Sequence, residues 1–120
     1  MSLLNTPLVS LLGHALDLTA QRQQLVSQNV ANIDTPGYHA RDIDFHQELQ
    51  RALAGDEENP VAPVVREVPG MIERPDGNNV NIDRESLLMA ENQLQFQTEV
   101  TVLHSEFNRL QLAINGGSSQ

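Results

Sequence analysis

The side chains best suited to chemistry crowd into one short stretch of this 120-residue chain. His39, Asp42, Asp44 and His46 fall within eight positions. Imidazoles and carboxylates together are the donor set of a zinc or manganese site. On an extended strand, however, His39 points to the face opposite Asp42, Asp44 and His46. A turn would have to gather them, so the spacing favours solvated polar residues on a corner over a metal site. A second candidate, Asp76-Gly77-Asn78-Asn79-Val80-Asn81-Ile82-Asp83, resembles a calcium loop only superficially. Its glycine is at the second place rather than the sixth, and no glutamate closes the twelve-residue frame. No serine elbow, phosphate-cradling glycine loop or zinc-protease pair occurs, and His14 and His104 stand singly on helical patterns. Nothing is arranged to activate a nucleophile. The expectation is a non-enzymatic chain with no cofactor and no metal.

Composition points the same way. There is no cysteine, so neither a disulfide nor a thiolate metal site holds the chain together. With one Tyr, three Phe and no Trp, large core side chains are scarce, and a self-sufficient core is doubtful. All seven basic residues are arginine against sixteen acids, for a net charge of -9, which repels phosphate backbones. Nucleic acid is therefore not an expected partner. No apolar run approaches the ~18–20 residues needed to cross a bilayer. The N-terminal MSLLNTPLVSLLGHALDL has neither a basic n-region nor a small-residue cleavage site. Export, if it occurs, is expected to use no cleaved signal.

The elements that position the polar cluster meet at Asn29–Phe45. Thr35-Pro36-Gly37-Tyr38 reads as a type II turn, with Pro36 presetting φ and Gly37 supplying the positive φ. Pro36 also drives Thr35 out of the helical region, so the preceding helix must stop near Asn32 to Asp34. The chain then leaves extended, with Asp42 and Asp44 alternating with Ile43 and Phe45. Asn29, Asn32, Thr35, Pro36, Gly37, Tyr38, Arg41, Asp42, Asp44 and Phe45 are the candidates for contacts with neighbouring subunits at this corner.

The first helix is expected to start at Pro7 with Thr6 as N-cap and to run to about Asn32, ~39 Å. Leu11, Leu18 and Leu25 recur every seven residues; Leu12, Leu16, Val26, Val30 and Ile33 form a second stripe. That apolar face is wider than one partner helix needs. Asn29 and Asn32 continue the first seam, as register-setting polar residues or as ordinary helix-end residues. After the corner, Asp44 and Gln47 predict a capped short helix with Phe45, Leu49, Ala52 and Leu53 on one face, ended by Gly55. From Asp56 to Asn81 acids, four prolines and two glycines break any period, and weak order is expected. Val61–Val68 reads as an extended edge segment. Met71–Glu73 and Val80–Ile82 are expected to pair across Pro75-Asp76-Gly77-Asn78. The last helix is expected to be capped by Asp83 and ended by Asn115-Gly116-Gly117. Phe96, Val100, Leu103, Phe107, Leu110 and Ile114 are spaced as a coiled-coil seam, with Met89 at the same heptad position as Phe96. At ~46 Å it is expected to match the first helix and pair with it antiparallel. The fold class is thus mainly α: long terminal helices paired antiparallel, joined by a corner, a short helix and an extended, weakly ordered middle. The expected division is 1–34 and 83–115 as one helical core, 35–82 as the excursion between them, and 116–120 as a flexible tail.

Asn29-Val30-Ala31-Asn32 followed by Thr35-Pro36-Gly37-Tyr38 resembles the N-terminal signature of the bacterial flagellar rod and hook proteins. The continuation Ala40-Arg41-Asp42-Ile43-Asp44-Phe45 is similar to the proximal rod subunits of that family. So is the run Asp76-Gly77-Asn78-Asn79-Val80-Asn81-Ile82-Asp83-Arg84-Glu85, with Ala90-Glu91-Asn92 and Phe96-Gln97 after it. The resemblance covers both helices and their flanks. It implies a structural subunit of the basal-body rod in the periplasm, exported by the flagellar type III apparatus. It further implies polymerisation through the terminal helices, which helps carry torque from motor to hook. The implied partners are the chain itself, FlgC-type rod subunits, FliE and the export apparatus. The absence of a large central domain argues against distal rod and hook proteins. Two alternatives stand beside this reading: another short rod subunit of the FlgC type, and a free-standing helical adaptor forming a closed dimeric bundle.

Overall fold

The computed structural model describes residues 6–118. Three helices and two minimal strands follow in the order α1 (Pro7–Ala31), β1 (Arg41–Asp42), α2 (Phe45–Ala54), β2 (Arg66–Glu67) and α3 (Ile82–Ser118). The mainly α architecture expected from the sequence is the one observed. Thr6 Oγ1 accepts from the amide of Val9 at 3.2 Å, and Pro7 fills the first turn, where a missing N–H costs nothing. Asp44 caps α2 by accepting from Gln47 N at 3.1 Å; Gly55 ends that helix in extended rather than left-handed conformation. The Gln47 side chain accepts from Arg66.

α1 is the central element. It packs along α3, and against α2 and β1. Thr19 meets Glu99 and Gln23 meets Asn92, so residue number rises on one helix as it falls on the other: the pair is antiparallel. Leu18, Leu25 and Ile43 form the buried cluster, with Phe45 and Leu49 partly buried against it. The core therefore lies where α1, β1 and α2 meet. The resulting body is long and thin, 72 × 28 × 19 Å.

Four local expectations are corrected. The two terminal helices are not matched: α1 has 25 residues and α3 has 37, about 38 and 55 Å. The cap of α3 is Asn81, whose Oδ1 accepts from Arg84 N at 3.1 Å and whose carbonyl accepts from Glu85 N at 3.0 Å. Asp83 lies inside the first turn with Glu85, where both still favour the positive end of the helix dipole. Asn115-Gly116-Gly117 does not end the helix, which runs through Ser118. The positive-φ glycines among the described residues are Gly37, Gly70 and Gly77. Glycine permits a helix to stop without compelling it. The described part of the expected tail is thus helical, and Ser119 and Gln120 lie outside the described residues.

The fourth correction concerns the expected hairpin. Its turn forms, with Gly77 N bonded to Arg74 O and Arg74 N to Asn78 O, both at 2.8 Å. The ladder goes no further, because the corner captures the groups it would use. Asn79 N donates to Tyr38 O at 3.2 Å, and Val80 N donates to the side chain of Asn78 at 2.8 Å. The pairing that does form is β1 with β2, antiparallel, Arg41 opposite Glu67 and Asp42 opposite Arg66. Of the Val61–Val68 edge segment, only Arg66–Glu67 is a strand.

Candidate assembly joint

At the corner, Tyr38 N donates to Thr35 O at 3.2 Å and Gly37 takes φ 74°, as the type II turn requires. Gly37 N donates to Asp76 O at 2.9 Å, which brings the second turn against the first. Gly77, at φ 83°, lies so near that a methyl group on it would stand 3.3 Å from Gly37 Cα. Two turns, forty residues apart in sequence, stack glycine on glycine.

Three asparagines lock this contact. Asn78 is fully buried, and its amide donates to Asn32 O and Thr35 O, each at 2.8 Å, as a second donor beside the turn amides Thr35 N and Tyr38 N. Asn79 Oδ1 accepts from Ala40 N at 2.7 Å. Asn29, 1 % exposed, donates to Arg41 O at 2.9 Å and accepts from Arg41 N and from the Tyr38 hydroxyl, each at 3.0 Å. Asn29 thereby copies both edges of a strand and holds β1 to the helix. Burial pushes the Tyr38 phenol up; Arg41 lowers it and Glu85 raises it. The ring stays neutral and serves as a donor. Arg74 donates to Val80 O and to Ile33 O, tying the turn to the helix end.

Beside this knot lies an ionic chain. Arg22 on α1 makes a two-pronged contact with Asp42 at 2.9 and 3.0 Å; Arg84 on α3 reaches the same carboxylate at 2.7 Å and Glu85 at 2.8 Å. One carboxylate on β1 thus joins the two long helices. Burial alone would push Asp42 up, but its bonds from Arg22, Ile43 N and Arg84 hold it below the usual range. The residues weighed as metal ligands are spent separately. Asp42 serves the arginines and Asp44 caps α2. His46 contacts Gln50, and His39 lies between Glu67 and Glu73. Among the described residues no group of three or more such side chains is placed to share an ion.

Of the other corner candidates, Asn32 donates its amide to Gln28 O at 2.8 Å and accepts from the Thr35 hydroxyl at 3.1 Å. Pro36 and Arg41 are exposed, and Phe45 is half-buried on the α1–α2 core.

Along α3 the pattern is inverted relative to an ordinary amphipathic helix. Leu88, Asn92, Glu99, Glu106 and Leu110 are the buried positions past the first turn, at spacings of four, seven, seven and four. Polar residues therefore hold the middle of the buried stripe. Thr19, 2 % exposed, has one hydroxyl proton within reach of both Glu99 oxygens (3.0 and 3.1 Å) and of Ala15 O at 2.8 Å. Gln95 also donates to Glu99, at 2.9 Å. Arg109 bonds Glu106 and holds its carboxyl below the usual range.

The seam residues divide accordingly. Leu18, Leu25 and Leu110 are buried, and Leu11 and Leu103 are half-buried. Phe96, Val100, Phe107 and Ile114 are exposed at 46, 42, 40 and 48 %, with Met89 at 41 %. The expected coiled-coil seam thus does not close on α1. Much of it faces outward, and beside it a 470 Å³ groove opens between the helices, lined by Thr19, Ala20, Gln23, Met89, Asn92, Gln93 and Phe96.

Sequence reasoning missed Asn78, Asn79 and Arg74 as structural residues, and the Arg22–Asp42–Arg84 bridge. The signal for the first two was present in the Asn-Asn doublet after a turn glycine, which is more amide than a solvent loop requires. No periodicity marks the bridge.

The family model described as flagella basal body rod protein matches residues 12–39, which span most of α1 and the corner turn. The flagellar basal body rod protein FlgB of Salmonella typhimurium is 37 % identical over 125 residues, covering 87 % of this chain and 90 % of that protein. The FlgB proteins of Yersinia ruckeri and Escherichia coli are each 34 % identical, covering 86 and 87 % of this chain and 90 % of their own lengths. Coverage at this level takes in both helices and the middle between them, so the chain belongs to the FlgB family of flagellar basal body rod proteins.

Proposed function

We propose that this chain is a non-enzymatic structural subunit of the proximal flagellar rod that polymerises through α1 and α3. The observation that carries the reading is the outward apolar stripe of α3, Phe96, Val100, Phe107 and Ile114, set against a polar inner face. A helix whose aromatic flank is only part-covered by its own partner offers that flank to other chains. Heterologous contacts of this kind do not close, and they generate filaments. On this reading residues 1–34 and 83–115 form the rod core, 35–82 the excursion, and 116–120 the tail. Of the seam residues, Phe96, Val100, Phe107 and Ile114 meet neighbouring chains, flanked by half-buried Leu11 and Leu103, while Leu18, Leu25 and Leu110 hold the subunit's own helices. The exposed side chains of the corner face neighbouring subunits.

The partners are further copies of the chain, FlgC-type subunits, FliE and the export apparatus. The place of action is the periplasmic rod, reached without a cleaved signal, where the assembled helices help carry torque to the hook. No helix among the described residues is long and apolar enough to cross a membrane. The test is deletion of the gene followed by complementation. Loss of the rod, restored by the wild-type gene, supports the reading; rods of normal appearance in the deletion strain exclude it. Sedimentation of the purified chain separates the adaptor alternative, which requires a discrete closed dimer.

A further inference from the structure

His39 is spent on neither the turn nor the asparagine knot. Its Nδ1 lies 3.1 Å from Glu67 Oε2 and its Nε2 2.7 Å from Glu73 Oε1. Those two glutamates stand on opposite sides of the turn at Pro69-Gly70, where Gly70 takes φ 76°. A carboxylate oxygen only accepts, and a neutral imidazole carries one N–H. Both contacts are hydrogen bonds at once only when both ring nitrogens are protonated. Other charges on the packed elements are engaged elsewhere. Asp42 bonds Arg22 and Arg84, Arg66 bonds Gln47, Arg74 bonds two carbonyls, and Asp76 accepts from Asn78 N. Arg41 stands opposite Glu67 in the β-pair.

We propose that His39 is a proton-operated staple for the middle of the chain. As an imidazolium it ties β2 and the segment after Gly70 to the corner; as a neutral ring it must release one of them. The bond to Glu67 raises the His39 pKa most, partial burial opposes it, and Glu73 adds to the rise. The folded value thus lies above the ordinary 6.5. The staple is fully formed below that ordinary value and is lost as pH rises through the folded one. The Val68 amide, which donates to Ala40 O at 2.9 Å between the two glutamates, reports on the segment directly.

The test is NMR on the full chain, reading the His39 ring titration and the hydrogen-exchange protection factor of Val68, corrected for intrinsic rate, from pH 5 to 9. The expected midpoint lies above 6.5 and drops in both Glu67→Gln and Glu73→Gln. Val68 protection should fall severalfold across the wild-type midpoint, be low throughout in His39→Ala, and stay high throughout in His39→Arg. A midpoint unmoved by either glutamine variant overturns the proposal. So does Val68 protection that is equal in wild type and His39→Ala at both ends of the range. Should the alanine variant fail to fold, the two glutamine variants still decide it.

Discussion

The corner and the long helix α3 treat polar residues in opposite ways. At the corner, Asn29 and Asn78 are buried, and every one of their side-chain bonds closes on the chain's own backbone or on Tyr38. On α3, buried Glu99 is met by a shared hydroxyl proton and one amide, Glu85 Oε2 is buried without a hydrogen-bond partner, and Phe96 and Phe107 are 46 and 40 % exposed. The corner is finished within one chain; α3 is not. A buried polar group without its partners costs about 1–3 kcal/mol, whereas a matched set holds one geometry firmly. The molecule thus carries a tightly bonded joint at the root of a helix whose apolar stripe its own chain covers only in part.

The comparison can be broken most decisively on α3. Phe107→Asp places a charge in the outward stripe, and loss of motility and of rods is expected when it replaces the wild-type gene. The isolated chain should change in stability by no more than about 0.5 kcal/mol, as at other exposed positions. A strongly destabilised monomer would show instead that this face packs within the chain. Asn78→Ala is the converse case. It leaves Val80 N without its partner and takes one of two donors from Asn32 O and Thr35 O, and should cost about 1–3 kcal/mol in urea denaturation. A loss below about 1 kcal/mol would show that the knot does not hold the two turns together.

Smaller effects sharpen the same contrast. Gly37→Val forces a β-branched side chain to φ 74°, a strain of about 1–3 kcal/mol, although nothing lies within 4 Å of the added Cβ. Gly77→Ala adds a near-contact to comparable strain and should cost at least as much in the same assay. Asp42→Asn tests the ionic chain through pH. The Asp42 carboxyl is held below 3.8, so its contribution is present above 3.8 and is lost as pH falls through the depressed value. Acid denaturation of the asparagine variant should lose that part of its slope while keeping the rest. Smallest of all, Thr19→Val with Glu99→Leu replaces a polar contact by an apolar one, with an expected change within about 1 kcal/mol of neutral.

Much of the fold could be read from local signals. Thr6-Pro7 starts α1, Pro36-Gly37 turns the chain, and Asp44 caps α2, because each needs only neighbours within four residues. The end of α3 and its cap are not legible locally, because Asn81 and Asp83 are both competent caps and nothing near them separates the two. The hairpin at Pro75-Asp76-Gly77-Asn78 stopped at its turn because Tyr38 and Asn78 outcompeted the strand partner for Asn79 and Val80. The candidate site was legible in part. The corner residues are marked by their own turn, but the block that locks them lies some forty residues later, and spacing says nothing about its partner.

The sequence by itself determined two long helices and a sharp corner between helix and extended chain. Those follow from propensity, turn stereochemistry and residue type, which act over a few residues. Tertiary structure alone decided which side of α3 turns toward α1. Periodicity defines an apolar stripe but not its partner, and the contacts of Thr19, Gln23 and Asp42 with Glu99, Asn92 and Arg84 rotate that stripe outward.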